Sequence, residues 1–277
     1  MALDAQNRRN LAVRIATSVV LVPGLVWATV EGGVIFATVA AVAAAGMAAE
    51  LLLMFGAGYG VAGVFGVGVA GVIPLCTVLA PEGVMFPPWG GLALAGATVL
   101  LLVLFLFRRG PPEEIPRRVS VVALSWLYCG LLLGVAVGLR RQHGFAWVFL
   151  AYAVTWGNDT FAYFAGHLLG RHKLMERISP KKTWEGFAGG ILGSLVGAAL
   201  CWWVLMREAT PLSTALWVGA GASVVGPAGD LVESMIKRAA GVKDASHLIP
   251  GHGGLLDRVD SLLFVAPWVY LVATYLR

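Results

Sequence analysis

Residues 234–260 read SMIKRAAGVKDASHLIPGHGGLLDRVD. They gather Lys237, Arg238, Lys243 and Arg258, the carboxylates Asp244, Asp257 and Asp260, His247, His252 and a Gly-His-Gly-Gly turn, with apolar runs on both sides. In a chain only 13% charged, packing does not account for such a concentration. Each of these groups must be paired or solvated to be tolerated beside apolar surface. The stretch reads as a site that holds a polyanion and a divalent cation against a bilayer, and the runs around it set the fold as membrane-spanning.

Outward from it, 58% of the 277 residues are hydrophobic, and the mean hydropathy is +0.81. A water-soluble core cannot use that much apolar surface. About nine segments are long enough to cross a hydrocarbon core, at approximately 11–30, 34–54, 61–80, 91–107, 119–139, 146–169, 187–206, 212–236 and 259–276. Helices follow, because each must satisfy its own backbone groups in lipid. The expected fold is an all-α polytopic integral membrane protein. The 36 glycines fit close helix approach better than loops. Gly63, Gly66, Gly68 and Gly71 do this in the third segment, and Gly189, Gly193 and Gly197 in the seventh. Cys76, Cys129 and Cys201 lie inside apolar segments without ligand spacing and read as small buried hydrophobes. Arg8, Arg9 and Arg14 ahead of the first segment imitate a signal peptide, but an uncleaved first membrane helix is expected.

Charge orients these segments. With the N-terminus in the cytoplasm, nine crossings leave Arg140, Arg141, Arg207 and Arg277 alone outside, out of 20 Lys and Arg residues. The positive-inside rule therefore supports a cytoplasmic N-terminus and a C-terminus on the opposite side. The polar loops 108–118, 170–186 and 241–256 then share the cytoplasmic face. A pI near 9.3 reflects that orientation and attraction to anionic lipid or substrate, and no nucleic-acid partner is expected.

The polar residues inside or beside the spans carry the chemistry. Glu50, at the cytoplasmic end of the second segment, either snorkels or pairs with a loop arginine, or else supports the site from behind. Asn158-Asp159-Thr160 interrupts an aromatic, apolar run; an acid there faces a cavity or partner, or closes a structural hydrogen-bond clasp. Ser179-Pro180-Lys181-Lys182-Thr183-Trp184-Glu185-Gly186 precedes a helix. Its lysines and hydroxyls suit a phosphate at a helix N-terminus, although an ordinary positive-inside loop also explains the lysines. Gly226-Pro227-Ala228-Gly229 is expected to loosen the eighth segment just ahead of Asp230 and Glu233. Asp230 and Glu233 share a helix face, with Ser234 and Lys237 near the same stripe, and Asp257 and Asp260 repeat the spacing. Two helices each presenting two oxygen donors suit a hard cation such as Mg2+. His252 reads as a phosphate donor or a residue that fixes the loop.

Ser234-x-Ile236-Lys237-Arg238-x4-Lys243-Asp244-x-Ser246-x2-Ile249-Pro250-x-His252-Gly253-Gly254-Leu255-x-Asp257-Arg258-Val259-Asp260, with the 179–186 stretch and Asn158-Asp159-Thr160, resembles the signature of the phosphatidate cytidylyltransferases (CDP-diacylglycerol synthases). The resemblance covers roughly 155–262. It implies transfer of a cytidylyl group from CTP to phosphatidic acid, giving CDP-diacylglycerol and pyrophosphate in a bacterial inner membrane. It further implies Asp230 and Asp260 as principal Mg2+ ligands, a second, monovalent cation such as K+ nearby, and a homodimer among membrane lipids. Glu233 and Asp257 would support the metal. Lys237, Arg238 and Arg258 would act at the reacting phosphates. Ser179, Lys181, Lys182, Ser234, Lys243, Asp244, His252, Gly253, Gly254, Asn158 and Asp159 would bind substrate. Residues 1–110 then serve packing and dimer contacts, 111–145 form a middle helix and link, and 146–277 the catalytic region.

Two rival readings stand beside this one. A cation-coupled transporter would explain intramembrane Asp159 and a broken eighth segment, but predicts a matching interruption in the first half, which has no acidic counterpart. A CTP-dependent lipid kinase shares the site logic but needs a base for its acceptor hydroxyl.

Overall fold

The computed structural model describes residues 2–56, 60–108, 111–246, 248–251 and 253–276, with side chains from Val13 onward. His247, His252, Arg109 and Arg277, and the side chains of Arg8 and Arg9, lie outside the described residues. The helices are α1 (Ala2–Glu31), α2 (Gly33–Met54), α3 (Val61–Cys76), α4 (Gly90–Leu106), α5 (Ile115–Ser125), α6 (Leu132–His143), α7 (Phe145–Leu169), α8 (Trp184–Cys201), α9 (Leu212–Ala239) and α10 (Leu256–Tyr275). A π-helical stretch, Trp126–Leu131, joins α5 to α6.

The expected apolar segments all fall on helix. Six helices among the described residues are long and apolar enough to cross a membrane. Their outward side chains agree: Val20, Val42, Val61 and Trp217 are largely exposed, a surface that lipid rather than water would solvate. This is a helical membrane protein.

The chain groups into two compact units, the first comprising residues 1–137 with 242–258 and the second 138–241 with 259–277. In the first unit, small residues set the packing. Ala37, Ala40, Ala41, Ala44 and Ala48 lie on the buried face of α2, beside Phe36, Met47 and Leu51. A Cβ at Gly66 would lie 2.6 Å from Val122, and the bare backbone there accepts the Trp126 indole N–H at 3.1 Å. Phe65, Val69, Cys76, Trp126 and Leu131 border an apolar cavity of about 560 Å³.

In the second unit, α7 and α8 touch backbone to backbone. A Cβ at Gly193 would sit 2.1 Å from the Gly157 carbonyl oxygen, and one at Gly197 would sit 2.3 Å from that of Ala153. The glycine stripe in the seventh segment is thus a packing face. Helix α9 runs unbroken through Pro227, so the expected loosening does not occur. Gly221 receives the Trp268 ring, whose indole N–H donates to the Val218 carbonyl at 3.1 Å. The stretch read as a plain loop holds a two-stranded antiparallel hairpin, β1 (Lys173–Met175) and β2 (Ser179–Thr183), pairing Lys173 with Thr183 and Met175 with Ser179.

Candidate active site

Helices α9 and α10 bring three acids together. Asp230, Glu233 and Asp260 each offer a carboxylate oxygen, all within 4.8 Å of one another. The approach depends on Gly229: a Cβ there would lie 2.7 Å from the Asp260 carbonyl oxygen and 3.0 Å from the Phe264 ring. The glycine read as a helix breaker is instead a contact point that lets the α10 backbone reach the acids of α9. Glu233 is fully buried, Asp230 and Asp260 half-buried. Asp260 Oδ1 accepts the Ser261 amide at 2.7 Å, and Ser234 Oγ donates to Asp230 Oδ1 at 3.4 Å.

Two ammonium groups meet this cluster. Lys182 Nζ lies 2.6 Å from Asp230 Oδ2 and 3.4 Å from the Pro227 carbonyl oxygen. Lys237, one turn beyond Glu233, pairs with it at 2.5 Å. Side chains alternate along a strand, so Lys182 turns inward while Lys181 is exposed. The hairpin is fixed at its base. Thr183 Oγ1 caps α8 by accepting the Gly186 amide at 3.1 Å, and Trp184 N–H donates to the His172 carbonyl at 3.0 Å. Glu185 accepts the amides of Arg171 and His172 at 3.1 and 3.2 Å, and its Oε1 meets His172 Nδ1 at 2.6 Å. Sequence reasoning left Glu185 without a role; its place in the first turn of a helix was the available signal.

Asn158 and Asp159 part company. Asn158 is buried, and its Nδ2 donates to Ser194 Oγ at 3.2 Å, which donates in turn to the Val154 carbonyl at 3.0 Å. This is a clasp between α7 and α8. Asp159 is exposed. Ser179 opens β2, half-buried, and Arg238 is exposed in the last turn of α9.

The remaining expected site residues belong to the first unit. Lys243, Asp244 and Arg258 are exposed. Asp257 Oδ2 accepts the amides of Ala245 and Gly254 at 3.2 and 2.9 Å, which folds the loop onto the start of α10. Gly253 takes φ +81°, a conformation that favours glycine. A Cβ at Gly254 would come within 2.9 Å of the Asp257 carboxylate. Expected here as a metal support, Asp257 stands as a loop ligand and is not in the three-acid cluster. His252 lies outside the described residues.

The three-acid cluster fits a hard cation. All its donors are carboxylate oxygens, which such ions prefer. Their 4.8 Å spread is slightly wider than the roughly 4.2 Å across an octahedral magnesium shell. That openness suits an ion that completes its shell with water and phosphate oxygens.

The cytidylyltransferase family model matches residues 12–276, and the chain belongs to that family. The phosphatidate cytidylyltransferase of Bacillus subtilis (strain 168) is 42% identical over 156 residues, which is 56% of this chain and 58% of that protein. The phosphatidate cytidylyltransferase of Thermotoga maritima is 35% identical over 199 residues, 68% of this chain and 74% of that protein. The one from Staphylococcus saprophyticus is 44% identical over 131 residues, 46% and 48% of the two. The matched stretch therefore spans about half to three quarters of these relatives' length.

Proposed function

We propose that the protein transfers the cytidylyl group of CTP to phosphatidic acid, releasing pyrophosphate and giving CDP-diacylglycerol for phospholipid synthesis. The observation that carries this is the convergence of Asp230, Glu233 and Asp260 with Lys182, in a chain of the cytidylyltransferase family whose relatives bear the name of that reaction. A phosphatidate oxygen attacks the α-phosphorus of CTP, a new P–O bond forms, and the bond to the bridging α–β oxygen breaks. The lipid phosphate is already an anion, so no strong general base is needed. The demand is for in-line positioning and for neutralisation of several negative charges.

Asp230 and Asp260 hold Mg2+, supported by Glu233, and a monovalent cation such as K+ sits nearby. When bound, the divalent ion screens the triphosphate and the leaving pyrophosphate. Lys182, Lys237, Arg238, Lys243 and Arg258 gather the phosphates, with Lys181, Ser179, Ser234, Asp244, His252, Gly253 and Gly254 at their margins. Lys182 and Lys237, counter-ions of Asp230 and Glu233 in this structure, are placed to turn to phosphate once a cation takes over that neutralisation. Asp159, with Asn158 fixing its helix, lines the lipid-phosphate side. The chain crosses a bacterial inner membrane nine times, N-terminus and site on the cytoplasmic face and C-terminus on the other, and works as a homodimer. The loop-borne basic residues support that orientation.

The test incubates purified protein with α-labelled CTP, Mg2+ and phosphatidic acid. Lipid-borne cytidylate with release of pyrophosphate is expected; label reaching lipid only from the γ position would establish a kinase instead.

A further inference from the structure

We infer, granting the cytidylyl-transfer reading above, that Glu50 is a positioning residue that presets the loop at Ser246 and the start of α10 to receive phosphate. Glu50 is 3% exposed on α2, deep in the N-terminal part of the chain. A buried carboxylate is tolerated only where donors meet it, and here three do. Its Oε1 accepts Ser246 Oγ at 2.5 Å and the Leu255 amide at 2.8 Å, and its Oε2 accepts the Leu256 amide at 2.8 Å.

The two amides stand at the start of α10, where helix N–H groups have no partner within the helix. The positive end of the helix dipole favours an anion at the same place. One acid thus satisfies two otherwise orphaned donors and fixes where α10 begins. Ser246 carries the effect into the loop, because its Oγ also accepts the Leu248 amide at 3.0 Å. Asp257 closes the turn from below. From α1, Arg14 Nε and Thr17 Oγ1 hold the carbonyls of Gly251 and Pro250 at 2.7 and 3.2 Å. The exposed side chains of Lys243 and Arg258 therefore project from a frame ordered before any ligand arrives. Order set in advance need not be supplied at binding, so it strengthens nucleotide capture rather than the chemical step.

The arrangement requires an acceptor at both oxygens. Glu50→Gln keeps the shape but turns one acceptor into an N–H donor facing an amide donor; Glu50→Asp keeps the charge but withdraws it by one methylene. In full-length protein with Mg2+, Glu50→Gln is expected to raise KM for CTP about ten-fold while kcat per folded molecule stays near wild type. It also speeds hydrogen exchange at Leu255 and Leu256 by about ten-fold or more. Glu50→Asp recovers part of both. If Glu50→Gln fails to fold, Ser246→Ala decides through the same two readouts, with a smaller rise in KM. Wild-type KM, or activity falling only in proportion to folded protein, overturns the proposal. A wild type that makes no CDP-diacylglycerol overturns the assigned activity instead, and the exchange rates of the two amides then decide the role of Glu50.

Discussion

Lys182 Nζ contacts Asp230 Oδ2 at 2.6 Å while the adjacent Lys181 is exposed. Two neighbouring lysines that look alike in the sequence therefore have different environments, one against the acid cluster and one in solvent. Lys182→Ala is expected to lower kcat/KM by about a hundred-fold or more, the scale seen when one charge-stabilising donor is lost. Lys181→Ala gives a smaller loss that fades as salt is added, because an exposed charge is screened. Equal losses from both, measured between about 50 and 500 mM salt, would show that the hairpin acts through its overall charge alone.

Asp230→Asn and Asp260→Asn each remove an oxygen anion from the cluster. Turnover is expected to fall by about three orders of magnitude, with insertion and elution of the protein unchanged. Near-normal rates at low Mg2+ in either variant would mean that the cation is held elsewhere.

Glu233 differs from its neighbours by being fully buried and paired with Lys237. Glu233→Gln leaves an ammonium buried without its counter-charge, a change that costs about 3 kcal/mol. Thermal unfolding in detergent should reveal that loss, and the double variant Glu233→Gln with Lys237→Met should regain most of it. A double variant as unstable as the single one would place the energy outside this pair.

Gly193 and Gly91 form a contrast in packing. A Cβ at Gly193 collides with the Gly157 backbone, whereas one at Gly91 meets nothing within 4 Å. Gly193→Ala should lower stability by about 1–3 kcal/mol, since α7 and α8 must move apart; Gly91→Ala should be neutral or better. Melting temperatures of the two variants in the same detergent make the comparison.

Cys76 borders the apolar cavity and is half-exposed, while Cys129 and Cys201 are buried. An uncharged, lipid-soluble maleimide should therefore modify Cys76 well before the other two, as read by intact-mass and peptide analysis.

Much of this was legible in the sequence because lipid imposes a strong rule: apolar runs of sufficient length must be helical. The acid spacing at 230 and 233 likewise placed both side chains on one helical face. What escaped depended on contacts between distant segments. Pro227 looked like a break, yet α9 continues through it. Gly229 looked like looseness, yet it serves a close approach to α10. The sequence groups Asn158 with Asp159, but one residue along a helix is a turn of about 100°, and Asn158 donates to Ser194 on α8. Asp257 shares the spacing of a metal-binding pair, but its Oδ2 accepts loop amides. A hairpin of three and five residues is too short to leave a periodic pattern against its turn.

The acid on α2 lies 196 positions ahead of Ser246 and more than 200 ahead of the helix start it serves. A fragment beginning after the opening helices would keep the most heavily charged segment of the chain yet lose the group that gives it shape. Attempts to express the C-terminal part alone, or to graft its motif onto another scaffold, should therefore carry that distant glutamate along or supply a substitute for it.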